Sequence, residues 1–198
     1  MGAHYPDAQP ALDFGGDPFR LTIAVLLSAQ TTDAAVNKVT PVLWKRYPRI
    51  EDLAAADPSD VAEIIRSIGF FNTKSKNCVK CAQMVLADFG GEVPQSMEEL
   101  QRLPGVGRKT ANIVMNAGFG QVEGIAVDTH VFRIAHKLKL SNAKDPSTTE
   151  QDLLKIIPPD LWGPVNHQWI LFGREVCNAK RPACGECFLA DVCPSCGK

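Results

Sequence analysis

Four cysteines close to the C-terminus constrain what this chain can fold into more than any other feature. Cys177, Cys184, Cys187 and Cys193 follow the spacing C-x6-C-x2-C-x5-C. Four thiolates this close along a chain can converge on one metal centre, either tetrahedral zinc or an iron–sulfur cluster. Zinc ribbons usually present two C-x2-C pairs, whereas here only Cys184 and Cys187 form such a pair. The spacing therefore predicts a metal centre and leaves its identity open.

The other three cysteines point away from a disulfide scaffold. The chain has seven cysteines, and an odd number with four clustered differs from the spread pattern of disulfide-rich proteins. Cys78 and Cys81 lie three residues apart in a helical stretch without a second pair nearby, so we expect buried bystander thiols. Cys196 is expected to be a spectator close to the end of the chain.

Composition indicates a globular protein without a membrane segment. The 198 residues are 45% hydrophobic and carry a net charge of −1, which suits one large domain or two small ones with a real core. No apolar run reaches the roughly 18 residues that a membrane span needs, and no signal peptide is recognisable. Residues 101–140 hold six basic and two acidic side chains, either a local patch for a polyanion or ordinary scatter.

Helical signals recur along the chain, whereas alternating apolar and polar runs are scarce. Residues 19–30 are apolar nearly all round, as in a buried helix, and Thr31, Thr32 and Asp33 offer caps for the next helix. We therefore predict an all-α protein whose first eighteen residues are loosely ordered. The predicted helices span about 19–30, 33–46, 58–69, 72–89, 96–102, 108–117, 128–138, 148–157 and 163–176.

A tight turn joins two of these helices. Residues 103–107 read LPGVG, and Gly105 and Gly107 permit backbone conformations closed to other residues and close approach by another chain. The free N–H groups that begin the second helix, together with Arg108 and Lys109, form a ready phosphate site. A lone Gly-x-Gly more often marks a plain turn, but LPGVGRKTAN at 103–112 is far more specific as a unit.

Residues 103–112 resemble the helix–hairpin–helix of the DNA glycosylase superfamily. With the cysteine spacing, the chain resembles the endonuclease III family of iron–sulfur DNA glycosylases and AP lyases, from about residue 18 to Cys193. Further segments that carry the resemblance are LLSAQTTD at 26–33, GFFNTK at 69–74, GFG at 118–120 and AVDTHVFR at 126–133.

The resemblance implies a two-lobed helical architecture with a DNA-binding cleft between the lobes. One lobe of six helices would span 18–122 and carry the hairpin at about 97–117. The other would combine 1–17 with 123–198 and hold a [4Fe–4S] cluster on the four cysteines, the centre that this family binds with this spacing.

The resemblance also assigns catalytic roles. Lys109 matches the family's nucleophile, an amine that displaces the base and forms a Schiff base. The amine must be unprotonated to attack, and the helix N-terminus and the neighbouring Arg108 place positive charge beside it. The plainer role for Lys109 is phosphate binding. Asp128, a natural N-cap, matches the second catalytic residue, and His130 is expected to support it without touching substrate.

Contacts to DNA follow from the same resemblance. Gln30 matches the residue that fills the gap left by an extruded base. Phe70 matches the residue that wedges into the opposite strand, and well-known relatives carry leucine at that position. Lys180 and Arg181 lie between the first two cysteine ligands and could meet phosphates, although a solvated loop is the plainer reading. The resemblance also allows a monovalent cation bound by the hairpin carbonyls of Gln101, Leu103 and Val106.

These features together predict a bifunctional base-excision repair enzyme. We expect it to release oxidised pyrimidines such as thymine glycol from double-stranded DNA and to cut abasic sites by β-elimination, as a monomer at the nucleoid in the cytoplasm. Rival readings are a monofunctional adenine-mismatch or thymine/uracil-mismatch glycosylase, a non-catalytic DNA-structure binder and an electron carrier. The mismatch enzymes usually lack the lysine at position 109, and the adenine enzymes also carry a further C-terminal domain beyond the region ending here at Lys198.

Overall fold

All regular secondary structure in the part of the chain that the structure describes is helical. A computed structural model describes Met1–Gly197, in which there are ten α-helices and no β-strand. The all-α prediction is confirmed. The helices are α1 (Pro18–Leu27), α2 (Asp33–Arg46), α3 (Ile50–Ala54), α4 (Pro58–Ile64), α5 (Phe71–Phe89), α6 (Met97–Leu100), α7 (Arg108–Ile113), α8 (Thr129–Lys137), α9 (Pro146–Ile156) and α10 (Trp162–Glu175).

Side-chain caps begin most of these helices where the sequence supplies them. The expected cap of α2 is confirmed, because Thr32 Oγ1 accepts a hydrogen bond from the Ala35 N–H at 3.3 Å. Asp17 and Asp145 do the same for α1 and α9, each followed by a proline in the first turn. A capping side chain satisfies N–H groups that have no partner inside the helix, so these short polar residues fix where each helix starts.

The first compact unit covers Ala11–Gln121. Its centre is α1, in which Leu21 to Leu27 are all buried, and α5 packs against α3 and α4. The unit holds seven α-helices in place of the expected six. The extra one is α3, a short helix at whose start the Arg49 N–H donates a hydrogen bond to Asp52 Oδ2 at 3.1 Å.

The second compact unit combines Met1–Pro10 with residues 122–197. Its core is formed by α8, α9 and α10, with Val131, Ile134, Leu153, Trp169 and Phe172 buried together.

His4 and Tyr5 contact later residues of the same unit, so the expectation of a loosely ordered start is wrong for this part of the chain. The ring of His4 stacks on Phe188 with centroids 3.8 Å apart. The Tyr5 hydroxyl donates to Glu175 Oε2 at 3.0 Å. Both contacts join residues far apart in sequence, which is why local patterns did not reveal them.

Two thiols in α5 are structural, as expected. Cys78 and Cys81 are fully buried, and burial raises the pKa of Cys81 to about 12 and shifts the pKa of Cys78 in the same direction. Thiols held neutral in an apolar core are poor nucleophiles and poor metal ligands. None of the helices within residues 1–197 is long and apolar enough to cross a membrane.

Candidate DNA-repair site and cluster loop

The hairpin lies between α6 and α7. Ser96 caps α6 by accepting from the Glu99 N–H at 3.1 Å, and the turn closes where Val106 N donates to the Leu103 carbonyl at 3.0 Å. Gly105 has φ of +83°. Gly107 has φ of −93° and ψ of 178°, an extended conformation open to any residue. The expectation of a glycine-only backbone therefore holds at Gly105 and is wrong at Gly107.

The space around the two glycines differs as well. A Cβ added at Gly105 would lie 2.8 Å from Leu26 Cδ1 and 3.0 Å from Asn77 Nδ2, whereas one added at Gly107 would meet nothing within 4 Å. Gly105 thus lets the hairpin pack against α1 and α5. Gly107 leaves open space on the exposed side of the turn, where another chain can approach.

Substituting the two glycines should separate these roles. We expect Gly105→Ala to destabilise the protein by roughly 1–3 kcal/mol, from a left-handed backbone and an overlap with Leu26. Gly107→Ala, the matched control, should unfold close to wild type but bind DNA more weakly. Denaturant unfolding followed by circular dichroism measures the first effect, and equal unfolding curves for the two variants would contradict it.

Lys109 and Arg108 occupy the first turn of α7. Both are partly exposed, and the helix starts at Gly107, whose carbonyl accepts from the Ala111 N–H at 2.9 Å. The α-helical part is shorter than the predicted 108–117, because Val114–Gly118 continues as a π-helical turn. Sequence propensities do not distinguish these two helical forms, so the widening at Val114 could not be foreseen.

Asp128 caps α8 with its carboxylate. Asp128 Oδ1 accepts from the N–H groups of His130 at 2.8 Å and Val131 at 2.9 Å. The predicted capping role is confirmed, and both capping bonds are accepted by the same oxygen, Oδ1. His130 lies one turn from Arg133, with Nδ1 and Nη2 3.4 Å apart.

Arg133 links α8 to the first cysteine of the cluster motif. Its Nη2 donates to the carbonyls of Cys177 at 2.9 Å and Gly173 at 3.2 Å. A Cβ on Gly173 would come within 2.6 Å of His130 Nδ1, so glycine is needed where α10 crosses α8. Sequence reasoning missed Arg133, whose only visible signal was its place in the motif AVDTHVFR.

Gln30 and Phe70 lie on one groove of the first unit. The groove is a cavity of about 210 Å³ lined by Leu26, Ala29, Gln30, Phe70, Thr73, Lys74, Asn77 and Gly105. We call it the wedge groove. Phe70 is 65% exposed, as a side chain that enters DNA must be. Gln30 and Phe70 both adopt left-handed backbones, with φ of 53° and 59°, a strain of about 1–3 kcal/mol each that is typical of functional sites.

The four motif cysteines surround one pocket in the second unit. They line it together with Cys196 and apolar residues that include Ile134, Phe172 and Leu189. All of these cysteines are free thiols. The Leu189 N–H donates to Cys187 Sγ at 3.4 Å, the kind of contact that stabilises a thiolate ligand. Burial raises the pKa of the Cys177 thiol, and the nearby Arg133 guanidinium opposes this effect.

This donor set fits an iron–sulfur cluster. Four cysteine thiols line a largely apolar pocket, and a [4Fe–4S] centre is held by four cysteine thiolates.

The loop between the first two cysteines carries the expected basic residues. Lys180 and Arg181 are exposed, and the Lys180 N–H donates to Asn178 Oδ1 at 3.0 Å. The loop closes where Ala183 N donates to the Val176 carbonyl at 2.9 Å. Exposure is what a phosphate contact requires, and that contact stays a prediction. The cation site on the carbonyls of Gln101, Leu103 and Val106 likewise stays a prediction.

Comparison with known proteins decides the family. Residues 23–159 match the model of the HhH-GPD superfamily base excision DNA repair proteins, and residues 177–193 match the iron–sulfur binding domain of endonuclease III. The protein called endonuclease III in Synechocystis sp. is 49% identical over 191 residues, which are 96% of this chain and 87% of that protein. The chain belongs to the endonuclease III family. The match of 177–193 identifies the cofactor as the [4Fe–4S] cluster.

Other family members and solved structures agree with this placement. Endonuclease III of Escherichia coli K12 is 42% identical over 95% of this chain and 88% of that protein. A trapped endonuclease III–DNA covalent intermediate superposes with a TM-score of 0.93 at 43% identity, covering 98% of this chain and 91% of that one. A thermostable thymine-DNA glycosylase superposes with a TM-score of 0.80 at 25% identity, covering 92% of this chain and 88% of that one.

Replacing one cysteine at a time tests the ligand set. The matched family domain ends at Cys193, yet Cys196 also lines the pocket. We expect Cys187→Ser to lose the visible absorbance and the iron, and to make residues 178–192 sensitive to protease, because ligation and local folding are coupled. Cys196→Ser should keep full iron content. Loss of iron from Cys196→Ser with retention in Cys193→Ser would reassign the fourth ligand.

Proposed function

We propose that Lys109 and Asp128 are the catalytic residues of this protein, a base-excision repair enzyme with DNA glycosylase and AP lyase activities. The observation that carries the assignment is the place of Lys109, in the first turn of α7 directly after the hairpin, in a chain of this family. We propose oxidised pyrimidines such as thymine glycol as the bases released. The relatives at 42% and 49% identity are endonucleases III, and a similar solved structure is a trapped endonuclease III–DNA covalent intermediate.

The lysine amine can carry out both steps. Unprotonated Lys109 Nζ attacks C1′ of the damaged nucleotide, the bond from C1′ to the base breaks, and the base leaves with the bonding electrons and takes up a proton. Ring opening and loss of a proton from the adduct give a Schiff base between Nζ and C1′. Removal of a proton from C2′ then expels the 3′-phosphate by β-elimination, and hydrolysis of the Schiff base frees Lys109.

Asp128 would stabilise the charge that develops on the sugar. As the base departs, positive charge builds at C1′ and the ring oxygen, and a fixed carboxylate lowers the energy of that state. The two N–H groups held by Asp128 Oδ1 keep the carboxylate oriented, so little reorganisation is needed. The same group can assist proton transfer from C2′.

The remaining predicted residues would hold and open the duplex. Gly107 and Arg108 present the open side of the hairpin to a phosphate, and Lys180 and Arg181 offer a second contact through the cluster loop. Cys177, Cys184, Cys187 and Cys193 would hold the cluster, which would cross-link the four thiolates and so fix the path of that loop. Gln30 and Phe70 would occupy the space of the extruded base and wedge the opposite strand.

The proposed partner is double-stranded DNA that contains damaged bases or abasic sites. We propose that one protein molecule acts alone on each lesion. We place it at the nucleoid, where that substrate lies.

A borohydride assay tests the function with the unmodified protein. Duplexes with thymine glycol, an abasic site or a G·T mismatch are incubated with protein and borohydride, which reduces a Schiff base to a stable amine. We expect a covalent protein–DNA adduct and strand cleavage with the first two duplexes. Base release from the mismatch without an adduct would instead favour a monofunctional mismatch glycosylase.

A further inference from the structure

One buried lysine has no part in the chemistry described so far. Lys74 is the only lysine buried within residues 1–197, with 5% of its surface exposed. Its Nζ donates to Thr31 Oγ1 at 2.8 Å, and burial lowers the pKa of this ammonium. Burying an ammonium group is costly unless its hydrogen bonds are made, so its persistence here calls for a structural reason.

Lys74 is bonded to both strained segments of the wedge groove. Its backbone N–H donates to the Phe70 carbonyl at 3.0 Å, at the start of α5 where Phe70 is left-handed. Its ammonium binds Thr31, the residue directly after left-handed Gln30. The segment of Thr31 is further closed by the Thr31 N–H bond to the Ser28 carbonyl at 3.0 Å. Lys74 is therefore bonded to both segments whose exposed tips are Gln30 and Phe70.

We propose that Lys74, through Thr31, is a positioning residue that holds Gln30 and Phe70 at a fixed spacing for opening damaged duplex DNA. The inference rests on the proposed function, because that function is what brings Gln30 and Phe70 into contact with DNA. A left-handed backbone at a non-glycine residue persists only where its surroundings enforce it. The Lys74–Thr31 bond supplies that enforcement for both tips at once, across 43 residues of sequence.

Direct contact of Lys74 with DNA is the weaker reading. The side chain is almost wholly covered, and its ammonium already donates to Thr31. Lysines that bind phosphate are normally exposed and make binding depend strongly on salt. An unchanged salt dependence of DNA binding in Lys74→Met is therefore expected, and a reduced salt slope would overturn the positioning role.

Two substrates distinguish positioning from general damage to the fold. A thymine glycol duplex must be opened, whereas a single-stranded oligonucleotide with an abasic site needs no wedge. We expect Thr31→Val, which removes the hydroxyl acceptor, to slow base release from the duplex about tenfold, the effect of one lost hydrogen bond to a charged group. Borohydride trapping on the single strand should stay near wild type. Fluorescence of 2-aminopurine beside the lesion should show less base extrusion.

Matched variants complete the test. Thr31→Ser keeps the hydroxyl and should restore the duplex rate, Lys74→Met should resemble Thr31→Val, and Lys80→Met on the exposed face of α5 should behave as wild type. Wild-type duplex rates in both Thr31→Val and Lys74→Met, or equal losses on both substrates, would overturn the inference. Failure of the wild-type protein on both substrates would instead overturn the proposed function.

Discussion

Lys109→Gln is expected to abolish the borohydride-trapped adduct on both thymine glycol and abasic duplexes. Glutamine is close to lysine in length and helix propensity, so α7 should still form after the hairpin. It has no amine, so neither attack on C1′ nor Schiff-base formation can occur. Adduct yield on a denaturing gel, measured with protein in excess over DNA, gives the result directly.

The charge-preserving variant separates catalysis from phosphate binding. Lys109→Arg keeps the positive charge, but a guanidinium stays protonated at working pH and is not a nucleophile. If Lys109 only bound phosphate, the arginine variant would form adduct at saturating protein. We expect none, with DNA affinity close to wild type. Lys80→Gln, an exposed lysine of α5, is the control that should trap normally, and an adduct that persists in Lys109→Gln would place the nucleophile elsewhere.

Local features of the site were predictable because their signals lie close together in sequence. The Asp128 cap spans four residues, the hairpin five, and the cysteine motif seventeen, so spacing indicated a cap, a tight turn and a metal centre. The family match then connected them. The main local error, at Gly107, arose because glycine permits many conformations and the sequence does not say which one is used.

Long-range contacts were not predictable in the same way. The Lys74–Thr31 bond joins residues 43 apart, and the Arg133–Cys177 bond joins residues 44 apart. A lysine in an amphipathic helix such as α5 usually lies on the solvated face, but this one is buried and bonded to Thr31. The same reason explains the ordered His4–Phe188 contact, since neither residue carries a local signal for the other.

Asp128→Asn is expected to remove base release while leaving the fold intact. Asparagine ranks with aspartate as an N-cap, and its Oδ1 can accept from His130 and Val131 as the carboxylate does at 2.8 and 2.9 Å. The negative charge is lost, so the charge that develops at C1′ is no longer stabilised. We expect single-turnover base release to fall about 10²- to 10⁴-fold, measured on a thymine glycol duplex.

Asp128→Ala separates the cap from the chemistry, because it removes both. Its base release should fall as far as that of the asparagine variant. Its free energy of unfolding should also fall, by about 1 kcal/mol for a lost N-cap, which lowers the denaturant midpoint. The two variants should therefore match in activity and differ in stability. Equal stability of the two would show that the cap contributes nothing to α8, and near-normal base release by Asp128→Asn would remove Asp128 from the catalytic pair.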